Sequence, residues 1–210
     1  MTVSKDPRKI GIYGSSFDPI TNVHLWTAST VAHRKSLDLV IFLPSSSMRH
    51  DKKTSTSDEH RVNMINLAIG DNLKFVMDPY ELHVLAGMQY TFHTMRHFRE
   101  KYPEDELYFI MGADLLVDIS EGKWSHEKEL IEENKFIIMA RNGIDMTEAI
   151  SRSPLLRNHD DGRFQLMSKG LAMEISSTYI RDEFGRGGEP RYLLPDACYD
   201  YIKKNGLYRN

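Results

Sequence analysis

A single cysteine, Cys198, occurs in this chain of 210 residues. An intrachain disulfide needs two, and a cysteine-based zinc site needs more, so neither can form, and the reducing cytosol fits such a chain. Long apolar runs are also missing. None approaches the ~20 residues a bilayer span requires. Residues 1–9 are polar and charged, without the apolar stretch of a secretory signal. The expected compartment is therefore the cytoplasm, and no membrane partner is expected. A charge bias is missing too: 27 Lys and Arg oppose 30 Asp and Glu, for a net charge of −3. A weakly acidic chain has no basic stripe to neutralise long nucleic acid, so none is expected as a partner. A small phosphorylated ligand needs only a few local cations. No internal repeat or low-complexity tract occurs. The Gly-x-x-x-x-Gly-Lys P-loop and the Gly-x-Gly-x-x-Gly dinucleotide fingerprint are both absent. Hydride transfer thereby loses its usual support.

What is present is an ordinary globular composition, 40% hydrophobic and 27% charged, long enough for one α/β domain with a large core. Short runs rich in Val, Ile, Leu and Phe predict strands at residues 9–14, 37–43, 74–77, 107–111 and 136–140. A sixth is expected within 164–167 and 172–175. Helical spacing predicts helices over 23–34 and 90–102, then 127–133, 177–184 and 197–205, the last ended by Gly206. Thr56-Ser57-Asp58-Glu59 has the form of a capping box opening a further helix that Gly70 ends. Residues 143–162 are weakly patterned and read as helix and loop. Strands alternating with helices predict a Rossmann-like, doubly wound parallel sheet with helices on both faces, as a single domain over residues 1–210 with a helical C-terminal part from about 176. Ligands in such folds bind beyond the carboxyl ends of the strands. The residues directly after strands therefore draw attention.

The first of these turns is Gly14-Ser15-Ser16-Phe17-Asp18-Pro19-Ile20-Thr21-Asn22-Val23-His24. Glycine permits positive φ and close approach of a ligand, and small hydroxyls keep that approach open. Asn22 or Thr21 can cap the following helix, whose free N–H groups attract phosphate. His24, in its first turn, would face that phosphate. A capped turn with a histidine on its rim accounts for the same residues. Ile175-Ser176-Ser177-Thr178 opens a second helix with hydroxyls and free N–H groups. Arg181 lies one turn further on the same face and can grip two phosphate oxygens. Alone, this reads as a Ser/Thr cap with a surface arginine; paired with the first turn it reads as a second anion site.

The turn at residues 14–24 resembles the T/H-x-x-H signature of the nucleotidyltransferases related to class I aminoacyl-tRNA synthetases, and most of all the nicotinate/nicotinamide mononucleotide adenylyltransferases. Many bacterial members have histidine and glycine where this chain has Thr21 and Val23, a pattern closer to eukaryotic members; His24 stays in register. The resemblance continues through Leu43-Pro44, Glu59-His60-Arg61-Val62-Asn63-Met64, Tyr90-Thr91-Phe92-His93-Thr94, Phe109-Ile110-Met111-Gly112-Ala113-Asp114 and Trp124. It closes with Ile175-Ser176-Ser177-Thr178-Tyr179-Ile180-Arg181, Leu194-Pro195 and the segment ending Gly206-Leu207-Tyr208. It covers nearly the whole chain, in order.

The resemblance implies transfer of AMP from ATP to the 5′-phosphate of nicotinate or nicotinamide mononucleotide, releasing pyrophosphate, in NAD biosynthesis. His24 and Arg181 are the implied catalytic groups. Gly14, Ser15, Ser16, Phe17, Thr21, Lys52, Gly112, Asp114, Ser177 and Thr178 join them around ATP, with Lys53 able to replace Lys52. Thr91, Trp124 and Arg141 are implied on the mononucleotide side, the pyridine ring stacking on Trp124. By residue chemistry alone, Trp124 is equally a core anchor, Asp114 a helix cap, Arg141 a surface ion-pair partner and residues 48–53 a solvated loop. Mg2+ is expected through the ATP phosphates rather than a protein cage. Rival readings are pantetheine-phosphate adenylyltransferase or cytidylyltransferase chemistry on the same fold, and a non-catalytic nucleotide sensor. A homo-oligomer is compatible with the chain. His93 and His97, at i and i+4, could suggest zinc, but no third ligand follows. Met167-Ser168-Lys169 resembles a synthetase signature in a chain too short for a synthetase.

Overall fold

The computed structural model describes residues 6–48, 53–84, 90–168 and 175–209. Six parallel strands form one sheet in the order β3-β2-β1-β4-β5-β6. They are β1 (Lys9–Ser15), β2 (Leu39–Pro44), β3 (Phe75–Met77), β4 (Glu106–Gly112), β5 (Lys135–Met139) and β6 (Phe164–Met167). Among the described residues the expected continuation of β6 is not seen: Ile175 lies outside any strand, and 172–174 fall outside the described part.

Alternation of side chains along each strand builds two cores. Val40, Phe42, Tyr108, Ile110 and Ile137 face one side. Ile10, Ile12, Ile41, Leu43, Phe109, Met111, Phe136 and Ile138 face the other. The first side is covered by α1 (Asn22–Arg34), α2 (Asp58–Ile69), α9 (Ser177–Gly185) and α10 (Asp196–Asn205), which bury Ala28, Val31, Met64, Ile65, Ile180, Phe184, Cys198 and Ile202 there. The second is covered by α4 (Thr91–Lys101), α5 (Ala113–Ser120), α6 (Glu127–Glu133), α7 (Met146–Arg152) and α8 (Pro154–Asn158). A short α3 (Tyr80–His83) and a 3-10 turn at Arg191–Leu193 complete the elements.

One cap differs from expectation, and at another the structure selects between two candidates. Ser57, not Thr56, caps α2, accepting the His60 N–H at 3.3 Å. The Thr56 hydroxyl instead donates to Asp18 at 2.9 Å, a tertiary partner that local sequence cannot display. At α1 Thr21 rather than Asn22 is the cap, and the Asn22 amide donates to the Tyr192 carbonyl at 2.9 Å. The stretch 143–162 holds two short helices, and α5 follows β4 without a break. His93 and His97 part company, because the His97 ring stacks on Tyr80 at 3.7 Å. Among the described residues no three His, Cys, Asp or Glu side chains converge as a metal-holding group, and no helix is long and apolar enough to cross a membrane.

Candidate functional site: two turns locked at the sheet crevice

The strand order reverses between β1 and β4, so the exits of these neighbouring strands flank a crevice. The β1 exit is the turn 14–21, and the β4 exit is Gly112 leading into α5. Gly14 lies within β1, opposite Leu43 of β2. The residue in the left-handed region is Phe17, at φ 46°, rather than Gly14. Glycine at position 14 serves the surface instead: a Cβ there would meet only the Phe109 ring, at 3.8 Å. The Asp18–Pro19 peptide is cis. Phe17 and Thr21 are wholly buried, main chain included.

The carbonyls of this turn are held from behind. Arg61 of α2 donates to Ser16 O at 2.6 Å, Arg181 of α9 to Asp18 O at 2.6 Å, and the Ser177 hydroxyl to Pro19 O at 2.8 Å. Three carbonyls fixed by side chains of two helices make the turn rigid. The start of α9 is thus packed directly on the first turn. Arg181 also donates to Thr178 Oγ1 at 3.1 Å. A guanidinium has five N–H groups, so these two contacts leave donors for a phosphate. The single Ser177 proton is directed to Pro19, leaving the helix backbone as the donor at that position. Ser176 caps α9 by accepting the Tyr179 N–H at 3.1 Å.

His24 stands at the third position of α1 in a reciprocal capping box. Its backbone N–H reaches the Thr21 hydroxyl at 3.4 Å, and its Nδ1 accepts the Thr21 backbone N–H at 3.0 Å. A backbone N–H can only donate, so Nδ1 presents its lone pair, and a neutral ring then carries its proton on Nε2. The imidazole packs edge-on to Phe17, 5.0 Å between centroids, and beside Tyr13 at 6.2 Å. Burial pushes the Tyr13 phenol up to about 12, so it stays protonated beside the site.

The β4 exit brings Asp114 into the first turn of α5, with Arg141 across from it at 3.7 Å. A side chain at Gly112 would collide with Asp114 Oδ1. Glycine there is what lets the carboxylate fold back over the strand end. Among the described residues the buried Asp114 Oδ1 has no hydrogen-bond partner.

Trp124 lies beyond α5, half-buried, with its ring edge-on to Phe109 at 6.4 Å. Phe109 of β4 also underlies Gly14 and so links the indole to the start of the first turn. His126 follows in the left-handed region, at φ 58°, and its ring meets Tyr90 and Phe92, each at 5.4 Å. These contacts bring the start of α4, where Thr91 is the first residue, to the Trp124 turn. Among the described residues no side chain caps that helix. Lys52 lies outside the described residues, and Lys53 is exposed on the segment entering α2.

Three important groups escape sequence reading: Asp18, Arg61 and Tyr208. Asp-Pro reads as a turn dipeptide, which hides the carboxylate's role. Arg61 is fully buried, paired with Asp58 at 2.5 Å. The i, i+3 spacing of that pair was its one visible signal.

The cytidylyltransferase-like family matches residues 12–183. A probable nicotinate-nucleotide adenylyltransferase of Clostridium tetani is 36% identical, the match covering 96% of this chain and all of the relative. One of Clavibacter sepedonicus is 39% identical, over 100% of this chain and 99% of the relative. The structure of Plasmodium falciparum nicotinic acid mononucleotide adenylyltransferase complexed with NaAD superposes with a TM-score of 0.76 at 26% identity, over 96% of this chain and 97% of that one. Matched nearly end to end by such relatives, the chain belongs to the nicotinate-nucleotide adenylyltransferase family, within the cytidylyltransferase-like family.

Proposed function

We propose that this chain transfers AMP from ATP to the 5′-phosphate of nicotinate mononucleotide, with the triphosphate lying between the β1 turn and the start of α9. The observation that carries the reading is the direct locking of those two turns, Arg181 on Asp18 O and Ser177 on Pro19 O. It makes one continuous cradle from two helix N-termini at the sheet's switch point.

A phosphate oxygen of the mononucleotide attacks the α-phosphorus of ATP. The new P–O bond forms as the bond to the β-phosphate oxygen breaks, and pyrophosphate leaves. No side-chain nucleophile is needed. The protein contributes alignment and charge stabilisation. His24, as a neutral Nε2–H donor, and Arg181 hold the phosphates. Backbone N–H groups at the two helix starts add donors. Lys52 or Lys53 supplies a further cation, and Asp114 accepts a ribose hydroxyl on the ATP side. The donor set suits a hard cation carried by the substrate: with no three-carboxylate or histidine group among the described residues, Mg2+ would be held by triphosphate oxygens and water. When bound, it neutralises phosphate charge.

On the acceptor side, Trp124 offers an electron-rich face to an electron-poor pyridine ring. Arg141, across from Asp114 at 3.7 Å, is a further cation for the mononucleotide. The uncapped start of α4 at Thr91 favours an anion, which supports the acid over the amide.

The test is pyrophosphate release from ATP with nicotinate mononucleotide, nicotinamide mononucleotide and phosphopantetheine as separate acceptors. Fastest release with the nicotinate form is expected, and faster release with phosphopantetheine would overturn the reading. His24→Ala, folded by circular dichroism, should lose ~10²-fold in turnover if the ring contributes like one oxyanion donor.

A further inference from the structure

The most heavily tied side chain near the cradle is one that does not face it. Asp18 is 2% exposed. Its Oδ2 accepts the Ser55 backbone N–H at 2.5 Å. Its Oδ1 accepts the Thr56 hydroxyl at 2.9 Å and the Tyr208 hydroxyl at 2.7 Å. Its own carbonyl takes Arg181 at 2.6 Å. These partners lie 37, 38, 190 and 163 residues away in sequence. One residue thus joins the segment entering α2, the end of the chain, the start of α9 and the β1 turn.

We infer that Asp18 and Tyr208 are positioning residues for ATP, the phenol near the chain's end fixing the phosphate turn through the buried carboxylate. The inference rests on the placement of ATP proposed above. A buried carboxylate that loses one donor keeps an unsatisfied lone pair, which costs more than the hydrogen bond was worth. The cheapest relief is rotation of Asp18, and the same residue's carbonyl is what Arg181 grips. Tyr208 is itself held: its backbone is left-handed, at φ 61°, and its ring stacks with Phe184 at 6.3 Å. Burial, and then the charge of Asp18, push its phenol well above the ordinary tyrosine range, so it remains a donor at working pH. Tyr208 touches no substrate in this scheme. It acts through Asp18 on Arg181 and the turn.

Tyr208→Phe removes the donor and keeps the ring. Asp18→Asn keeps an oxygen for Tyr208 and Thr56 but sets an amide against the Ser55 N–H. Binding of ATP and of nicotinate mononucleotide is measured by calorimetry on wild type and both variants, alongside KM, kcat and Tm. In each variant ATP binding should weaken by roughly tenfold, the loss of one charge-assisted hydrogen bond, while mononucleotide binding and most of kcat persist. Wild-type ATP affinity in both variants overturns the inference alone, as does equal weakening of both ligands or a lowered Tm with unchanged affinity. A wild type that binds no ATP overturns the proposed function, and this inference falls with it.

Discussion

The His24 Nδ1 atom lies 3.0 Å from the backbone nitrogen of Thr21, three residues earlier, and accepts its hydrogen. The Thr21 hydroxyl, 2.9 Å from the same Nδ1, belongs to a wholly buried residue. The first position of the signature therefore serves the fourth: it orients the ring.

The expected consequence is a single tautomer. Nitrogen-15 spectra of selectively labelled enzyme near neutral pH should show His24 protonated at Nε2, with Nδ1 as the lone-pair nitrogen. A proton on Nδ1 would contradict the capping box. Thr21→Val, which keeps shape and removes the hydroxyl, should lower stability by about 1 kcal/mol, the usual loss for a helix N-cap, as read by urea denaturation.

Trp124 is edge-on to Phe109 and only half-buried, so its open face has room for a ring. Trp124→Ala is expected to weaken the mononucleotide and leave ATP binding largely intact. Loss of about 1 kcal/mol beyond area burial is the scale of an aromatic pair. Calorimetric titration with each substrate separates the outcomes. Equal loss for both ligands would argue for a core anchor instead.

Arg61 is fully buried, with Asp58 as its ion-pair partner and Ser16 O as its second acceptor. Arg61→Ala leaves both acceptors without a donor. Destabilisation of about 3 kcal/mol or more is expected, the scale for breaking a buried charge pair. Denaturant midpoints check this. A loss within the few tenths typical of surface sites would mean that water replaces the guanidinium.

Glu133 joins α6 to α4 through Arg96 at 2.5 Å and Arg99 at 2.9 Å. The Arg96 hydrogen bond, helped by Arg99, lowers its carboxyl from the ordinary value of 4.5 to about 2. A depressed acid stabilises the fold above its unfolded pKa and loses that contribution as pH falls through its folded one. Wild type should therefore exceed Glu133→Gln by up to about 1 kcal/mol at neutral pH, screened as partly exposed pairs are. The gap should close between pH 4.5 and 2. A gap independent of pH across that window would rule out the ionised pair as its source.

Much of the architecture was legible because it rests on local pattern. The alternation of Ile10, Ile12, Phe109 and Met111 toward one core and Phe42, Tyr108 and Ile110 toward the other follows from strand geometry. Gly206 closes α10 in the left-handed region as its position implied. The start of α2 was misread by one residue, since Thr56 had a tertiary partner in Asp18 that outweighed the cap. Helix α5 was missed because it begins directly after the last residue of β4, without an intervening turn.

The site divides in the same way. The sequence by itself located the two helix-opening turns and put His24 in the first turn of α1, because cap residues act through their own backbone chemistry. It also determined Trp124 and Thr91 as candidates, through resemblance. Tertiary structure alone decided that Arg181 and Ser177 grip the carbonyls of the first turn, that Arg61 is buried beneath Ser16, and that Tyr208 closes on Asp18. Contacts across 45 to 190 residues depend on how helices pack against the sheet, and packing has no period along the chain.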